Sequence, residues 1–252
     1  MDYKTILEEE ITLDPDDWED VKDLGQRMVG DMVDYLRHIS DEPVWRKPGT
    51  EMKEFLTHQL KEQGQDLESI YRQFKQHILP FPKGNIHPRF WSWVQGTGSL
   101  TAVYADMLAS TMNSNVAIGD HAALYVEGQV IEWCKSMLGY PPDSSGILLS
   151  GGSMANITGL ITARNNFDPG IRKEGIQVVG KPMVFYASEA THSCQVRAAE
   201  VMGLGSNALR KVPVDENYKM RTIVLKEMIK ADLSVGLAPF AVVANAGTVN
   251  TG

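Results

Sequence analysis

The chain has 252 residues, of which 43% are hydrophobic and 22% are charged, and its formal net charge at pH 7 is −8. This length supports one large or two small globular domains with a sizeable core. The negative charge and the lack of a basic stripe argue against a surface for nucleic acid or for an anionic membrane.

The sequence shows no sign of export or membrane insertion. The acidic stretch at residues 1–10 lacks the apolar core of a signal peptide, and no run of about 18 apolar residues predicts a membrane-spanning helix. Cys134 and Cys194 form neither a disulfide framework nor a metal-ligand pattern, so no metal site is expected. A reducing cytoplasm is the expected location.

Residues 1–85 are predicted to form an N-terminal helical arm. Apolar residues recur with the spacing of one helix face over 18–36, and shorter helical patterns follow at 51–60 and 67–78. The proline-containing segment 79–85 breaks this pattern, so we place a domain boundary there. The arm is rich in charge and lacks a closed core of its own, so we expect it to pack on another body.

An aromatic segment at residues 87–96 follows the arm. Pro88 and the flanking Gly84 and Gly96 are expected to keep it extended or looped. Its three large aromatic side chains form either a hydrophobic plug under the arm or a pocket wall.

Two helices are predicted after this segment, over residues 101–109 and 121–138. The second helix carries an apolar stripe that we expect to be buried. The stripe consists of Ala123, Val126, Val130, Trp133 and Met137.

From Gly146 onward, short apolar strands alternate with helices. The predicted strands are 147–149, 183–187, 211–214 and 240–245, and the predicted helices are 153–165, 192–202 and 221–232. Mostly apolar strands that are each followed by a helix indicate an α/β fold, with a mostly parallel sheet covered by helices on both faces. Residues 86–252 are therefore predicted to be the first part of a larger domain whose sheet is incomplete.

The stretch from Ser150 to Asn156 has the features of an anion site. A strand runs into Gly151 and Gly152, where the backbone can turn tightly, and a helix follows at once. The free N–H groups and the dipole of a helix N-terminus favour a phosphate, and Ser153 could add a hydroxyl as the N-cap or as a first-turn residue. An ordinary strand–turn–helix corner is the alternative.

Polar residues follow three of the predicted strands at their carboxyl ends, in residues 150–153, 188–193 and 247–248. Ligands bind at this edge of an open α/β sheet, so we expect the three loops to converge. His192 is either a partly exposed polar residue or a group that lies on an aromatic ligand or moves a proton. Neither a dinucleotide fingerprint nor a P-loop is present.

Taken in order, several stretches of the chain resemble the group II pyridoxal-phosphate-dependent amino-acid decarboxylases, the family of the aromatic-L-amino-acid, glutamate and histidine decarboxylases. They are His87-Pro88-Arg89-Phe90-Trp91-Ser92-Trp93, the region from Asn113 to Trp133, Ser150-Gly151-Gly152-Ser153-Met154-Ala155-Asn156, Ala187-Ser188-x-x-x-His192-Ser193 and the shorter Gly247-Thr248. The ordered set is specific, and it covers nearly the whole chain as the amino-terminal half of such an enzyme.

The resemblance implies fold type I of the pyridoxal-phosphate enzymes, with pyridoxal 5'-phosphate as the cofactor. It implies that Gly152 and Ser153 bind the cofactor phosphate and that His192 stacks on the pyridine ring as a catalytic residue. Thr248 would lie near the ring edge.

The resemblance also implies an obligate homodimer whose active site lies at the subunit interface. Trp93, Val94 and Gln95 fall where the family lines its substrate side-chain pocket, on a loop able to reach a neighbouring subunit. The arm, residues 14–78, would wrap the partner subunit.

Two residues that the family needs have no counterpart in this chain. They are the Schiff-base lysine and the aspartate that pairs with the pyridine nitrogen, and both are expected beyond Gly252. We therefore expect the 252 residues alone to be catalytically incomplete, and we expect a chain of this length to aggregate or to need a partner, because its sheet edge would be uncovered.

The function that these features imply is the conversion of an L-amino acid to an amine and CO2. An aromatic substrate is the first expectation, because Trp91 and Trp93 lie in the pocket segment; glutamate or another small acidic amino acid is the second. The alternatives are another lyase of the same fold, aldehyde-forming or carbon–sulfur cleaving, and a non-catalytic truncated module.

Overall fold

A computed structural model describes residues 14–57 and 64–252 of the chain. The chain divides into two compact units, Met1–Asn113 and Ser114–Gly252. The domain boundary predicted after residue 85 stays a prediction. No helix within the described ranges is long and apolar enough to cross a membrane.

The described part of the Met1–Asn113 unit is helical. Its α-helices are α1 (Trp18–Arg37), α2 (Thr50–Leu56), α3 (Leu67–Gln73) and α4 (Leu100–Met112); α3 continues into a π-helical turn at Phe74–Ile78, and a 3₁₀ turn lies at Ile39–Asp41. Three helices begin at a side chain that accepts a backbone N–H, since Asp17 caps α1, Asp66 caps α3 and Ser99 caps α4. The predicted helices are confirmed, except that residues 58–60 of the second lie outside the described residues.

Polar contacts connect α1 and α3 in this unit. The Tyr71 hydroxyl donates to Asp31 at 2.6 Å, and the Lys75 ammonium donates to the same carboxylate at 2.7 Å. Buried apolar side chains are few here: within the described residues of the unit they are Leu24 and Tyr71. The assignment of residues 1–85 as an arm stays a prediction.

The Ser114–Gly252 unit contains the predicted alternation of strands and helices. Its α-helices are α5 (Ala122–Leu138), α6 (Gly152–Phe167), α7 (Ile171–Glu174), α8 (Cys194–Val201) and α9 (Thr222–Ser234), its strands are β1 (Met183–Ser188), β2 (Leu209–Val212) and β3 (Ala238–Val243), and 3₁₀ turns lie at Ile176–Val179 and Ser206–Ala208. The three strands form a parallel sheet in the order β2-β1-β3. The central strand β1 is buried along its whole length.

Helices cover both faces of this sheet. Phe185 and Ala187 of β1 pack with Leu160 of α6 and Ala198 of α8 on one face. The alternate residues of β1, Val184 and Tyr186, pack on the other face, against Leu225, Met228 and Ile229 of α9. Successive side chains of a strand point to opposite faces, so one central strand supplies the core of both layers. The predicted α/β fold is confirmed.

The predicted strand at 147–149 is wrong. These residues have no regular secondary structure and pair with no strand of the described chain, and Ile147 is 63% exposed. An apolar run of three residues does not make a strand without a hydrogen-bonded neighbour.

The limits of two other strands differ from prediction. β2 ends at Val212, two residues earlier than expected, because Pro213 has no N–H to donate to a ladder. β3 begins at Ala238 and ends at Val243, and its pairing with β1 is irregular opposite Val184 and Phe185. Pro239 lies at this irregularity, where it can be accommodated.

The stripe expected to be buried on α5 is also wrong. Val126, Trp133 and Met137 are exposed, while Ala123 and Val130 are partly exposed. Within this unit α5 instead uses the side that carries Ile131 and Lys135; the Ile131 side chain lies against Gly146, and Lys135 is buried. Apolar residues surround much of this helix, so periodicity did not determine which side packs within the chain.

Candidate functional site

The turn before α6 presents a helix N-terminus with unpaired backbone donors. Gly151 lies at φ 106° and ψ 164°, a conformation that glycine adopts readily, and its N–H donates to the Leu149 carbonyl at 2.8 Å. α6 begins at Gly152, and no side chain caps it. Ser153 is thus a first-turn residue and not the N-cap. The first-turn N–H groups have no acceptor within the helix, so the turn suits an anion.

Side-chain amides connect this turn to the helix that follows β1. Asn156 Nδ2 donates to the Gly152 carbonyl at 2.7 Å, and Asn156 Oδ1 accepts from Gln195 Nε2 at 2.7 Å. Gln195 is 1% exposed, and its Oε1 atom has no hydrogen-bond partner. The turn and the loop around His192 are therefore linked through two amides that sequence reasoning missed.

The loop between β1 and α8 carries His192 on the surface. The Cys194 N–H donates to His192 Nδ1 at 3.1 Å, and the Ser188 hydroxyl accepts from the Ala190 N–H at 3.1 Å. Because Nδ1 is an acceptor, a neutral His192 ring carries its proton on Nε2. α8 begins at Cys194, two residues later than predicted. Burial raises the pKa of the Cys194 thiol, which disfavours its thiolate.

Loops at the carboxyl edge of the sheet contact one another. The Thr191 hydroxyl donates to Asn245 Oδ1 at 3.3 Å, which connects the loops after β1 and β3. Glu189 Oε1 accepts from the Val214 N–H at 2.9 Å, which connects the loops after β1 and β2. With the amide link to α6, these bonds connect the loop after β1 to α6, to Val214 and to Asn245. The predicted convergence of residues 247–248 with the other two polar loops stays a prediction.

Thr248 lies in a turn that continues from the loop after β3. Its N–H donates to the Gly252 carbonyl at 3.2 Å, its carbonyl accepts from the Gly252 N–H at 3.0 Å, and its hydroxyl contacts that of Thr251. The connection of this turn to the histidine loop is through Asn245, three positions before Thr248 in the chain.

The aromatic segment belongs to the Met1–Asn113 unit. His87 is buried there: its Nε2 donates to the Glu42 carbonyl at 2.9 Å, and its Nδ1 accepts from the Arg89 N–H at 3.0 Å. Asn85 Nδ2 donates to the Gly96 carbonyl at 2.8 Å and holds the ends of the segment together. A segment with both ends fixed in this way presents its middle in a defined conformation.

The middle of this segment projects into solvent. Trp91 is 91% exposed and Trp93 is 67% exposed, so the interpretation as a hydrophobic plug is wrong for these two side chains. Trp93 has a φ of 57°, which is uncommon for a residue of this size, and the Lys83 ammonium lies 5.3 Å from its ring centroid. Val94 is exposed and Gln95 is partly buried.

Comparisons with known proteins show what this chain is similar to. The family profile described as "Pyridoxal-dependent decarboxylase conserved domain" matches residues 48–252. The chain is 32% identical to an aromatic-L-amino-acid decarboxylase of Bacillus atrophaeus over 93% of this chain and 48% of that protein. It is 30% identical to tryptophan decarboxylase 2 of Oryza sativa subsp. japonica, over 95% and 50%. The chain thus spans about half the length of these relatives.

Solved structures show the same fold. The crystal structure of Oryza sativa TDC with PLP superposes with a TM-score of 0.80, at 24% identity, over 94% of this chain and 53% of that one. The fold and the cofactor predicted from the sequence are confirmed by the matching family and by its fold neighbours.

Proposed function

Because the chain belongs to the pyridoxal-dependent decarboxylase family, we propose that the protein carrying it converts an L-amino acid to an amine and CO2. The observation that carries this proposal is the link between an uncapped helix N-terminus at Gly152 and the loop of His192. A ligand with a phosphate and an aromatic ring needs an anion site and a ring contact held together, and the turn at Gly152 and the loop of His192 would supply them.

The donor set at the turn fits the cofactor phosphate. Gly152 and Ser153 would hold it through first-turn N–H groups and the serine hydroxyl. A Cβ on Gly152 would meet no atom of another element within 4 Å, so the space beside Gly152 is open. When bound, pyridoxal phosphate supplies an electron sink for the pair left by the breaking Cα–carboxylate bond. The protein's contribution is to bind, orient and shield.

His192 would lie on the ring of the cofactor. Its Nδ1 is occupied by the Cys194 N–H, so the orientation of the imidazole is fixed and the Nε2 proton is the one available for donation. Thr248 would lie near the ring edge. His192→Ala is expected to reduce kcat by about 100-fold, the lower end of what a positioned proton-transfer group contributes. Stopped-assay measurement of CO2 release tests this, with His121→Ala as the control for removing a partly exposed imidazole of the same unit.

Trp93, Val94 and Gln95 are proposed to line the substrate side-chain pocket, and an aromatic L-amino acid is the first candidate substrate. The exposed indole of Trp93, in an uncommon backbone conformation, supports a recognition role. Trp93→Ala is expected to lower kcat/KM for L-tryptophan, measured by amine release, and to leave cofactor binding unchanged.

A small acidic L-amino acid is the second candidate, because Lys83 places a positive charge beside Trp93. Rates for L-tryptophan and L-glutamate distinguish the two candidates. If Lys83 recognises a substrate carboxylate, Lys83→Met lowers kcat/KM for L-glutamate and not for L-tryptophan. Analysis of the product as amine or aldehyde separates decarboxylation from an aldehyde-forming reaction on the same fold.

We also propose a homodimer and a cytoplasmic location. The exposed Trp91 and Trp93 and the few buried side chains of the Met1–Asn113 unit support contact with a partner subunit. Light scattering that shows a monomer at micromolar concentration would contradict the dimer. A polypeptide limited to residues 1–252 is proposed to release no CO2 from amino acids with added pyridoxal phosphate, because it contains no lysine in a Schiff-base context.

A further inference from the structure

A continuous path of hydrogen bonds runs from the turn at Gly151 and Gly152, which we call the anion turn, to the loop of His192. Asn156 Nδ2 donates to the Gly152 carbonyl, and Gln195 Nε2 donates to Asn156 Oδ1, each at 2.7 Å. The backbone N–H of Gln195 in turn donates to the His192 carbonyl at 3.2 Å. Gln195 is therefore linked to the turn through its side chain and Asn156, and it contacts the histidine loop through its backbone.

The burial of Gln195 is not explained by stability. The side chain is 1% exposed, on a helix whose neighbouring Ala198 and Ala199 pack in an apolar cluster with Leu160 of α6. Its Oε1 atom is buried without a partner, which destabilises a folded protein. An apolar side chain of the same length would remove this unpaired acceptor, but it would also leave Asn156 Oδ1 without the donor that Gln195 Nε2 provides. The bond to Asn156 is therefore what the buried amide contributes.

The bond from Asn156 fixes the peptide group at the start of α6. In a planar trans peptide, the carbonyl of one residue and the N–H of the next point in opposite directions. The Gly152 carbonyl is held by Asn156 Nδ2, so the Ser153 N–H is held pointing the other way. That N–H is one of the donors that the turn offers to a phosphate.

We propose that Asn156 and Gln195 are positioning residues that hold the anion turn and His192 at a fixed distance and orientation, so that the phosphate and the ring of a single cofactor are bound together. This inference rests on the proposed function, because it takes both groups to belong to pyridoxal phosphate. Neither side chain has to touch the cofactor.

Gln195→Met tests the proposal because it keeps the side-chain length and removes the amide. The protein carrying this sequence is freed of cofactor, and dissociation constants for pyridoxal phosphate and for pyridoxal are measured by equilibrium dialysis. The constant for pyridoxal phosphate is expected to rise about five- to tenfold, the effect of losing roughly one net hydrogen bond. The dissociation constant for pyridoxal is expected to change less, because pyridoxal has no phosphate to bind at the anion turn.

The melting temperature of the cofactor-free protein separates positioning from folding. Gln195→Met is expected to change it little, because removal of the unpaired buried acceptor offsets the loss of the donor to Asn156 Oδ1. Asn156→Ala breaks the same path, so its effect on phosphate-dependent affinity should not add to that of Gln195→Met. Asn166→Ala, which removes an exposed amide from the same helix as Asn156, is the control and should change neither constant.

The possible outcomes are distinct. If the unmutated protein binds pyridoxal phosphate more tightly than pyridoxal and Gln195→Met leaves the ratio of the two constants unchanged, the positioning role is wrong and the proposed function stands. If Gln195→Met weakens both ligands equally and lowers the melting temperature, Gln195 is only structural and the proposal is also wrong. If the unmutated protein shows no preference for the phosphate form, both proposals fall.

Discussion

The two compact units are stabilised in different ways. In the Ser114–Gly252 unit, buried strands lie between helices, and the polar residues of the candidate site lie at the carboxyl edge of the sheet. In the described part of the Met1–Asn113 unit, few side chains are buried, and exposed or partly exposed ion pairs connect α1 to α3 and to the turn that follows α3. The first arrangement supports a rigid site, because packed cores resist displacement, whereas the second depends on interactions that water and salt weaken.

The largest effect should come from the centre of the sheet. Phe185 is fully buried in β1 and contacts Phe240 of β3, with ring centroids 5.7 Å apart. Phe185→Ala is expected to lower the free energy of unfolding by about 3–5 kcal/mol, measured in denaturant. Phe167→Ala removes an exposed phenyl group at the end of α6 and should cost less than about 1 kcal/mol. Equal losses would contradict the view that the sheet core stabilises this unit.

A second test uses the same hydrogen bond in two environments. The Tyr186 hydroxyl donates to Asp232 at 2.7 Å beneath α9, and the Tyr125 hydroxyl donates to Asp120 at 2.6 Å on the surface. Tyr186→Phe is expected to cost about 1.5–3 kcal/mol, because it leaves a largely buried carboxylate with one donor fewer, while Tyr125→Phe should cost less than about 0.5 kcal/mol. Comparable values in thermal unfolding would show that burial does not set the strength of these bonds.

Tyr186 also predicts a pH dependence. Burial, followed by the bond to Asp232, raises the pKa of Tyr186 above its ordinary value. The unfolded chain therefore ionises first, and this tyrosine should lower the stability of the protein as the pH rises above about 10. Unfolding at alkaline pH should show this decline in the unmutated protein and a weaker decline in Tyr186→Phe.

The candidate site should be sensitive to backbone conformation. Gly151 lies at φ 106°, whereas Gly159 lies in the middle of α6 with open space around it. Gly151→Ala is expected to destabilise by about 1–3 kcal/mol and to weaken binding of pyridoxal phosphate, because a side chain strains this conformation. Gly159→Ala should stabilise by about 0.5–1 kcal/mol through its higher helix propensity. Effects of the same sign in calorimetry would contradict this explanation of the turn.

Much of the difference between the two compact units could be predicted from the sequence, because apolar strand runs and the one-sided apolar spacing of helices depend on different interactions. The strands β1 and β3 are mostly apolar runs, and parallel topology brings the carboxyl ends of all three strands to one edge. The prediction of a strand at 147–149 was wrong because a strand requires a hydrogen-bonded neighbour. The prediction of the buried side of α5 was wrong because a helix that is apolar on most sides does not reveal which side packs. Asn156 and Gln195 are 39 positions apart, and only the packing of α6 on α8 brings them into contact.

The smallest effect is expected in the helical unit. Hydrogen bonds from Lys75 and then Tyr71 lower the pKa of Asp31, and burial together with the bond to Asp31 raises the pKa of Tyr71 to about 12. A carboxylate whose pKa is lowered by folding contributes stability above its unfolded pKa, near 4, and that contribution is lost as the pH falls through its folded pKa. NMR titration of Asp31 should show the lowered value.

Asp31→Asn removes the charge but keeps the size of this side chain. Both Asp31 and Lys75 are partly exposed, so the cost near pH 7 should be only about 0.2–1 kcal/mol. The variant should also lose part of the decline in stability between about pH 5 and pH 2. Asp34→Asn, which alters an exposed pair with Arg37 on the same helix, is the control and should keep that decline. If Asp31→Asn costs as much free energy of unfolding as Phe185→Ala, then charged contacts stabilise the Met1–Asn113 unit as strongly as burial stabilises the sheet. The proposed difference in stabilisation between the two units would then be wrong.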